Sequence, residues 1–143
     1  MSHPEKQPSI LIVEDDPLFA ALVATRLRIE GMQSIECPGG REALEMVGRR
    51  PLDLVILDVM MPEVDGYQVL RHIRATVATA RLPVIMLSAS TEPADVEKGL
   101  ALGANYYVTK PFNAAELVRK VRLCLEEGKA SRSATRGGDA HDN

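Results

Sequence analysis

Ile10-Leu11-Ile12-Val13-Glu14-Asp15-Asp16-Pro17 holds three signals in eight residues. The four aliphatic residues are too few for a helix. They fit a strand buried on both faces, the environment that a parallel sheet between two helix layers provides. Asp16-Pro17 reads as a helix start, because an aspartate caps free backbone N–H groups and proline is tolerated in the first turn. Phe19, Leu22, Val23 and Leu27 then mark one helical face, and Gly31 supplies the stop. The unit is therefore strand, acidic rim and capped helix.

Working outward, the same unit recurs. Ser34 to Cys37 is a weaker strand followed by a short helix from Arg41 to Gly48. Leu54-Val55-Ile56-Leu57 repeats the buried-strand pattern and ends at Asp58. A loop with Pro62 and Asp65-Gly66 follows, then a helix near Tyr67 to Arg74. Pro83 to Leu87 is a fourth strand ending at Ser88, and the helix from Pro93 to Leu102 stops at Gly103. Tyr106 to Thr109 is a fifth strand, cut off by Pro111. Asn113 caps a last helix that should run to about Glu127, with Leu117, Val121 and Leu125 inward. Five such repeats predict an α/β fold, a five-stranded parallel sheet with helices on both faces. Residues 1–8 read as a flexible N-terminus. Residues 128–143 are polar and small, with little to bury, and read as a disordered polar tail.

Bulk properties narrow the function. The 143 residues suit one domain, and Met1 with this length suggests a complete single-domain protein. Hydrophobic residues make up 45% but aromatics only 3%, so the core must be aliphatic. A net charge of -3, and no recognition element left over after the five repeats, argue against a nucleic-acid partner. Cys37 and Cys124 have neither metal-type nor redox-type spacing and read as reduced thiols of a cytoplasmic protein. No apolar run nears the roughly 20 residues that span a bilayer, and Met1 to Pro8 lacks the apolar stretch of a signal peptide. We therefore expect no membrane partner.

The polar residues that close the strands are Glu14 and Asp15, Asp58, Ser88 and Lys110. In an open parallel sheet, ligands bind beyond the carboxyl ends of the strands. Three carboxylates, a hydroxyl and an ammonium should therefore meet on one rim. Crowded carboxylates want a cation, and hard oxygen donors select Mg2+ or Mn2+. A carboxylate beside such a metal can attack phosphorus and form an aspartyl phosphate. The ammonium and hydroxyl can hold the remaining phosphoryl oxygens. Taken singly, each residue has an ordinary use: Glu14 and Asp15 could favour a helix dipole, and Lys110 could be a solvated surface lysine. Convergence carries the argument.

Four segments together resemble the receiver domains of bacterial response regulators, over about Ser9 to Glu127. They are Ile10 to Asp16, Leu57 to Gly66, Met86 to Ser90 and Tyr107 to Phe112. The likeness is to a stand-alone, chemotaxis-regulator-like receiver. It implies a flavodoxin-like sheet of order 2-1-3-4-5 and phosphorylation of Asp58. Asp15 would bind the metal directly, Glu14 through water, and Met60 through its backbone carbonyl. The resemblance makes Ser88 the switch hydroxyl, Lys110 the phosphoryl-binding lysine and Tyr107 the switch aromatic. It further implies a cis peptide before Pro111. Asp16 and Asp65 keep structural roles, and Tyr106 reads as structural. Arg119, Lys120 and Arg122 read as a solvated basic face.

The implied partners are a sensor histidine kinase or histidine phosphotransfer protein and an unknown downstream protein. The domain would be primarily a signalling switch that catalyses its own phosphorylation and dephosphorylation. Two alternatives within the family are a phosphorelay intermediate and a receiver cut from a longer regulator. From another class, a metal-dependent phosphate-ester hydrolase would want a second acid two residues after the nucleophile, where Met60 stands. A nucleotide-binding module would want a glycine-rich phosphate loop, and none is present.

Overall fold

The computed structural model describes the backbone of residues 7–141 and the side chains of residues 7–128. Its strands are β1 (Ser9–Val13), β2 (Gln33–Cys37), β3 (Leu54–Asp58), β4 (Val84–Ser88) and β5 (Tyr106–Thr109). Its helices are α1 (Pro17–Ile29), α2 (Gly40–Met46), α3 (Gly66–Ala75), α4 (Pro93–Ala101) and α5 (Ala114–His141). All strand pairs are parallel, in the order β2-β1-β3-β4-β5. This is the expected flavodoxin-like topology. A short 3-10 turn at Val77–Thr79, unforeseen in the sequence, links α3 to β4.

Alternation along each strand divides the core. Leu11, Val13, Val55, Leu57 and Met86 face one layer with Ala43 of α2 and Val69, Leu70 and Ile73 of α3. Ile10, Ile12, Leu54, Ile56, Ile85 and Leu87 face the other with Val23 and Leu27 of α1 and Leu117 and Val121 of α5. Cys37 and Cys124 fall in opposite layers and are free. Burial raises both thiols, Cys124 to about 12, so neither is a ready thiolate.

The helix boundaries follow local chemistry. Asp16 caps α1, its carboxylate accepting from the N–H groups of Leu18 (3.0 Å) and Phe19 (3.4 Å). Gly31 ends that segment at φ +86°, a conformation that favours glycine. Pro8, expected to be flexible, is tied by its carbonyl to the N–H of Gln33 at 2.9 Å; residues 1–6 lie outside the described residues. The last helix departs from expectation. It continues past Glu127 to His141, where the sequence suggested a disordered tail. Gly128 costs an interior helix only about 1 kcal/mol against alanine, and the lysine, alanine and arginine residues beyond it favour helix, although Ser131, Ser133, Thr135, Gly137 and Gly138 do not.

Candidate functional site

The carboxyl ends of β1, β3, β4 and β5 form one rim. Glu14 extends the β1 ladder by one rung, its N–H bonding the Cys37 carbonyl at 3.0 Å, and its side chain is buried. One Glu14 oxygen accepts from the Asp16 N–H at 3.1 Å and the other from Lys110 Nζ at 2.9 Å. Asp15 turns out to solvent. Asp58 is the last residue of β3, opposite Leu87, and only 4% exposed. Its Oδ1 accepts from the Met60 N–H at 3.3 Å and lies 3.6 Å from Lys110 Nζ.

The turn after Asp58 depends on glycine. The Gly66 N–H bonds the Val59 carbonyl at 2.9 Å, and a Cβ on Gly66 would overlap the Asp58 carbonyl oxygen. Asp65 caps α3 reciprocally with Gln68, at 3.0 and 2.9 Å, so its role is structural as expected. Met61 anchors this loop in the core. Met60 beside it is 68% exposed.

Oxygens of Glu14, Asp15 and Asp58 all lie within 4.8 Å of one another. Burial, and then the Glu14 carboxylate beside it, push the Asp58 carboxyl up to about 7, against the opposing pull of Lys110. Burial acts to lower the Lys110 pKa, but Glu14 and Asp58 outweigh it and the net shift is upward. The rim is thus a cluster of hard oxygen donors with excess negative charge, partly offset by one ammonium. That donor set fits a hard divalent cation.

Ser88 and Tyr107 lie on the neighbouring strands β4 and β5. Ser88 is fully buried, and its Oγ accepts from the Ser90 N–H at 3.0 Å. Ser90 in turn donates to Asp95 Oδ2 at 2.6 Å. Tyr107 packs against the core on the α3 side, and its buried hydroxyl has no hydrogen-bond partner among the described residues. Tyr67, read from the sequence only as the start of a helix, donates through its hydroxyl to the Asp95 carbonyl at 3.2 Å and ties α3 to α4. The Lys110–Pro111 peptide is cis, as the resemblance implied. Arg119 and Lys120 pair with Glu116, and Arg122 pairs with Glu30, so the basic stretch of α5 is matched within the molecule.

Residues 10–122 match the family model described as the response regulator receiver domain. The chain belongs to the response regulator receiver domain family. The regulatory protein VanRc of Enterococcus gallinarum is 42% identical to this receiver over 116 residues, covering 81% of the chain and 49% of the relative. The DNA-binding response regulator MtrA of Mycolicibacterium smegmatis is 41% identical over 120 residues, covering 84% of the chain and 51% of the relative. Among solved structures, the receiver domain of sensor histidine kinase PA1611 from Pseudomonas aeruginosa PAO1 superimposes with a TM-score of 0.78 at 33% identity. The match covers 85% of this chain and 99% of that one, which has a magnesium ion coordinated in its active-site cleft.

The receiver thus spans about half the length of the curated relatives it matches. This corrects the expectation of no nucleic-acid partner, since relatives that share the receiver include a DNA-binding regulator. The net charge of -3 describes these 143 residues alone. No described helix is long and apolar enough to cross a membrane.

Proposed function

We propose that residues 9–127 act as a phosphorylation-controlled switch in the cytoplasm, with Asp58 as the residue that accepts the phosphoryl group. The observation that carries this reading is the position of Asp58. It is a buried strand-end carboxylate in a three-carboxylate cluster, with Lys110 Nζ 3.6 Å away. The donor would be a phosphohistidine on a sensor kinase or phosphotransfer protein. An Asp58 oxygen attacks phosphorus, the O–P bond forms as the N–P bond breaks, and the imidazole leaves with the electron pair.

Glu14, Asp15, Asp58 and the Met60 carbonyl would hold Mg2+, or Mn2+ by the same oxygen preference, and the ion would neutralise charge on the transferring group. Lys110 already stands between two carboxylates and would take a phosphoryl oxygen by a short movement from Glu14. Ser88 would donate its hydroxyl hydrogen to another phosphoryl oxygen while its Oγ still accepts from the Ser90 N–H. That draws in the loop carrying Ser90, which is tied to Asp95 at the start of α4. Tyr107, on the next strand, would then reset its ring, and a downstream partner would read the changed face of α4, β5 and α5.

The test is the intact mass of the parent and of Asp58→Asn after acetyl phosphate with Mg2+. The parent should gain one phosphoryl group and the variant none. A full phosphoryl gain on the variant would overturn the assignment.

A further inference from the structure

Lys110 has a neighbour that the chemistry above leaves unused. Phe19 of α1 presents its ring face to the Lys110 ammonium, with Nζ 4.3 Å from the ring centroid. The edge-on partner of that ring is Phe112, with centroids 5.5 Å apart and planes at 81°. The turn Lys110-Pro111-Phe112 therefore meets Phe19 twice, once through a cation and once through an aromatic ring. The position of Phe19 is fixed independently of either contact. Asp16 caps the first turn of α1 through the N–H groups of Leu18 and Phe19, so Phe19 is locked three residues past the helix cap. The ring packs against the core layer shared by α1 and α5.

The ammonium is thus flanked on three sides. Glu14 lies at 2.9 Å, Asp58 at 3.6 Å, and the Phe19 ring covers another side. A lysine side chain has a long flexible stem and loses considerable rotamer freedom when its head must sit in one place. The negative ring face attracts the ammonium electrostatically without accepting a proton or competing as a carboxylate would. Unlike Glu14, the ring exerts that attraction whether the ammonium points at Glu14 or at a group on Asp58.

We propose that Phe19 is a positioning residue for phosphoryl transfer: its ring face holds the Lys110 ammonium over the Asp58 end of the rim. The inference rests on the reading of Lys110 as the phosphoryl-binding cation. Phe19 itself touches no reacting atom.

The experiment replaces Phe19 site-specifically with mono-, di- and trifluorophenylalanine in the full chain. Fluorine drains the negative ring face while nearly keeping the shape. The initial rate of phosphorylation by acetyl phosphate with Mg2+ is followed by intact mass, in the parent and in a Lys110→Ala background. Melting curves of every protein show whether folding is preserved. The rate should fall stepwise with fluorine count, by about two- to five-fold across the series, the worth of one partly exposed cation–π contact. In Lys110→Ala the series should be flat, because the partner of the ring is gone. A flat series in the parent overturns the inference, since the charge of the ring face then does not matter. An equal slope in Lys110→Ala also overturns it, because the ring then acts by packing alone. If unsubstituted parent takes no phosphoryl group, the reading of the site fails first and this inference falls with it.

Discussion

Leu57 and Asp58 are neighbours in β3, both almost wholly buried, and they serve opposite ends. Leu57 lies in the aliphatic interior of the sheet, where every residue of β3 and β4 before the strand end is at most 1% exposed. Asp58 begins the rim, where two buried carboxylates, Glu14 and Asp58, share Lys110 beside the exposed Asp15. The interior gains free energy from burial. The rim spends some of it on groups that would rather be in water. The fold therefore depends on the first region and the chemistry on the second, with the boundary falling between consecutive residues.

The sharpest way to break that contrast is to damage the interior. Ile56 is fully buried between β1 and β4, and Ile56→Ala should destabilise the protein by about 2–5 kcal/mol in a denaturant melt. A loss below about 1 kcal/mol would mean that the interior is not the source of stability. Ser88 sits on the boundary. Ser88→Ala should still be phosphorylated on Asp58 but lose a hydrogen bond worth about 1.5–3 kcal/mol to the phosphorylated form. Backbone NMR with and without beryllofluoride should then show much smaller shifts around Tyr107 and α4 than in the parent. Shifts as large as those of the parent would remove Ser88 from the route. On the rim itself, Asp15→Ala should weaken Mg2+ binding at least roughly ten-fold by titration. Unchanged affinity would take Asp15 out of the site.

The two regions also differed in how far the sequence revealed them. The interior was legible because periodicity and punctuation agree: unbroken aliphatic runs, Asp16-Pro17 at a helix start, Gly31 and Gly103 at stops. Placement of the rim residues was legible too, because strand ends in a parallel sheet converge. What escaped was contact between side chains. Nothing in the sequence says that both Glu14 oxygens are engaged inside the protein, that Tyr67 reaches the Asp95 carbonyl, or that Phe19 covers Lys110. Such pairs form across elements far apart in the chain, and residue spacing holds no record of them. The end of α5 shows a different limit. A weakly apolar segment reads as chain with nothing to bury, and its Lys, Ala and Arg residues, which favour helix, are mixed with Ser, Thr and Gly, which do not, while its backbone runs on as helix to His141.

The effect that decides the most belongs to Asp58 itself. With its carboxyl raised from 3.8 to about 7, folded Asp58 keeps its proton where the unfolded chain has released it. The folded state binds more protons across that window, so stability should decline as pH rises from about 4 through about 7. Asp58→Asn removes the ionisable group and should flatten the decline. Melting curves of the parent and Asp58→Asn at pH 8 without divalent ions, paired with intact masses after acetyl phosphate and Mg2+, test this directly. The account predicts that Asp58→Asn is more stable than the parent by at least about 1 kcal/mol, less than one pKa unit's worth, and takes no phosphoryl group. A variant that melts below the parent, or that still takes a full phosphoryl group, would contradict it.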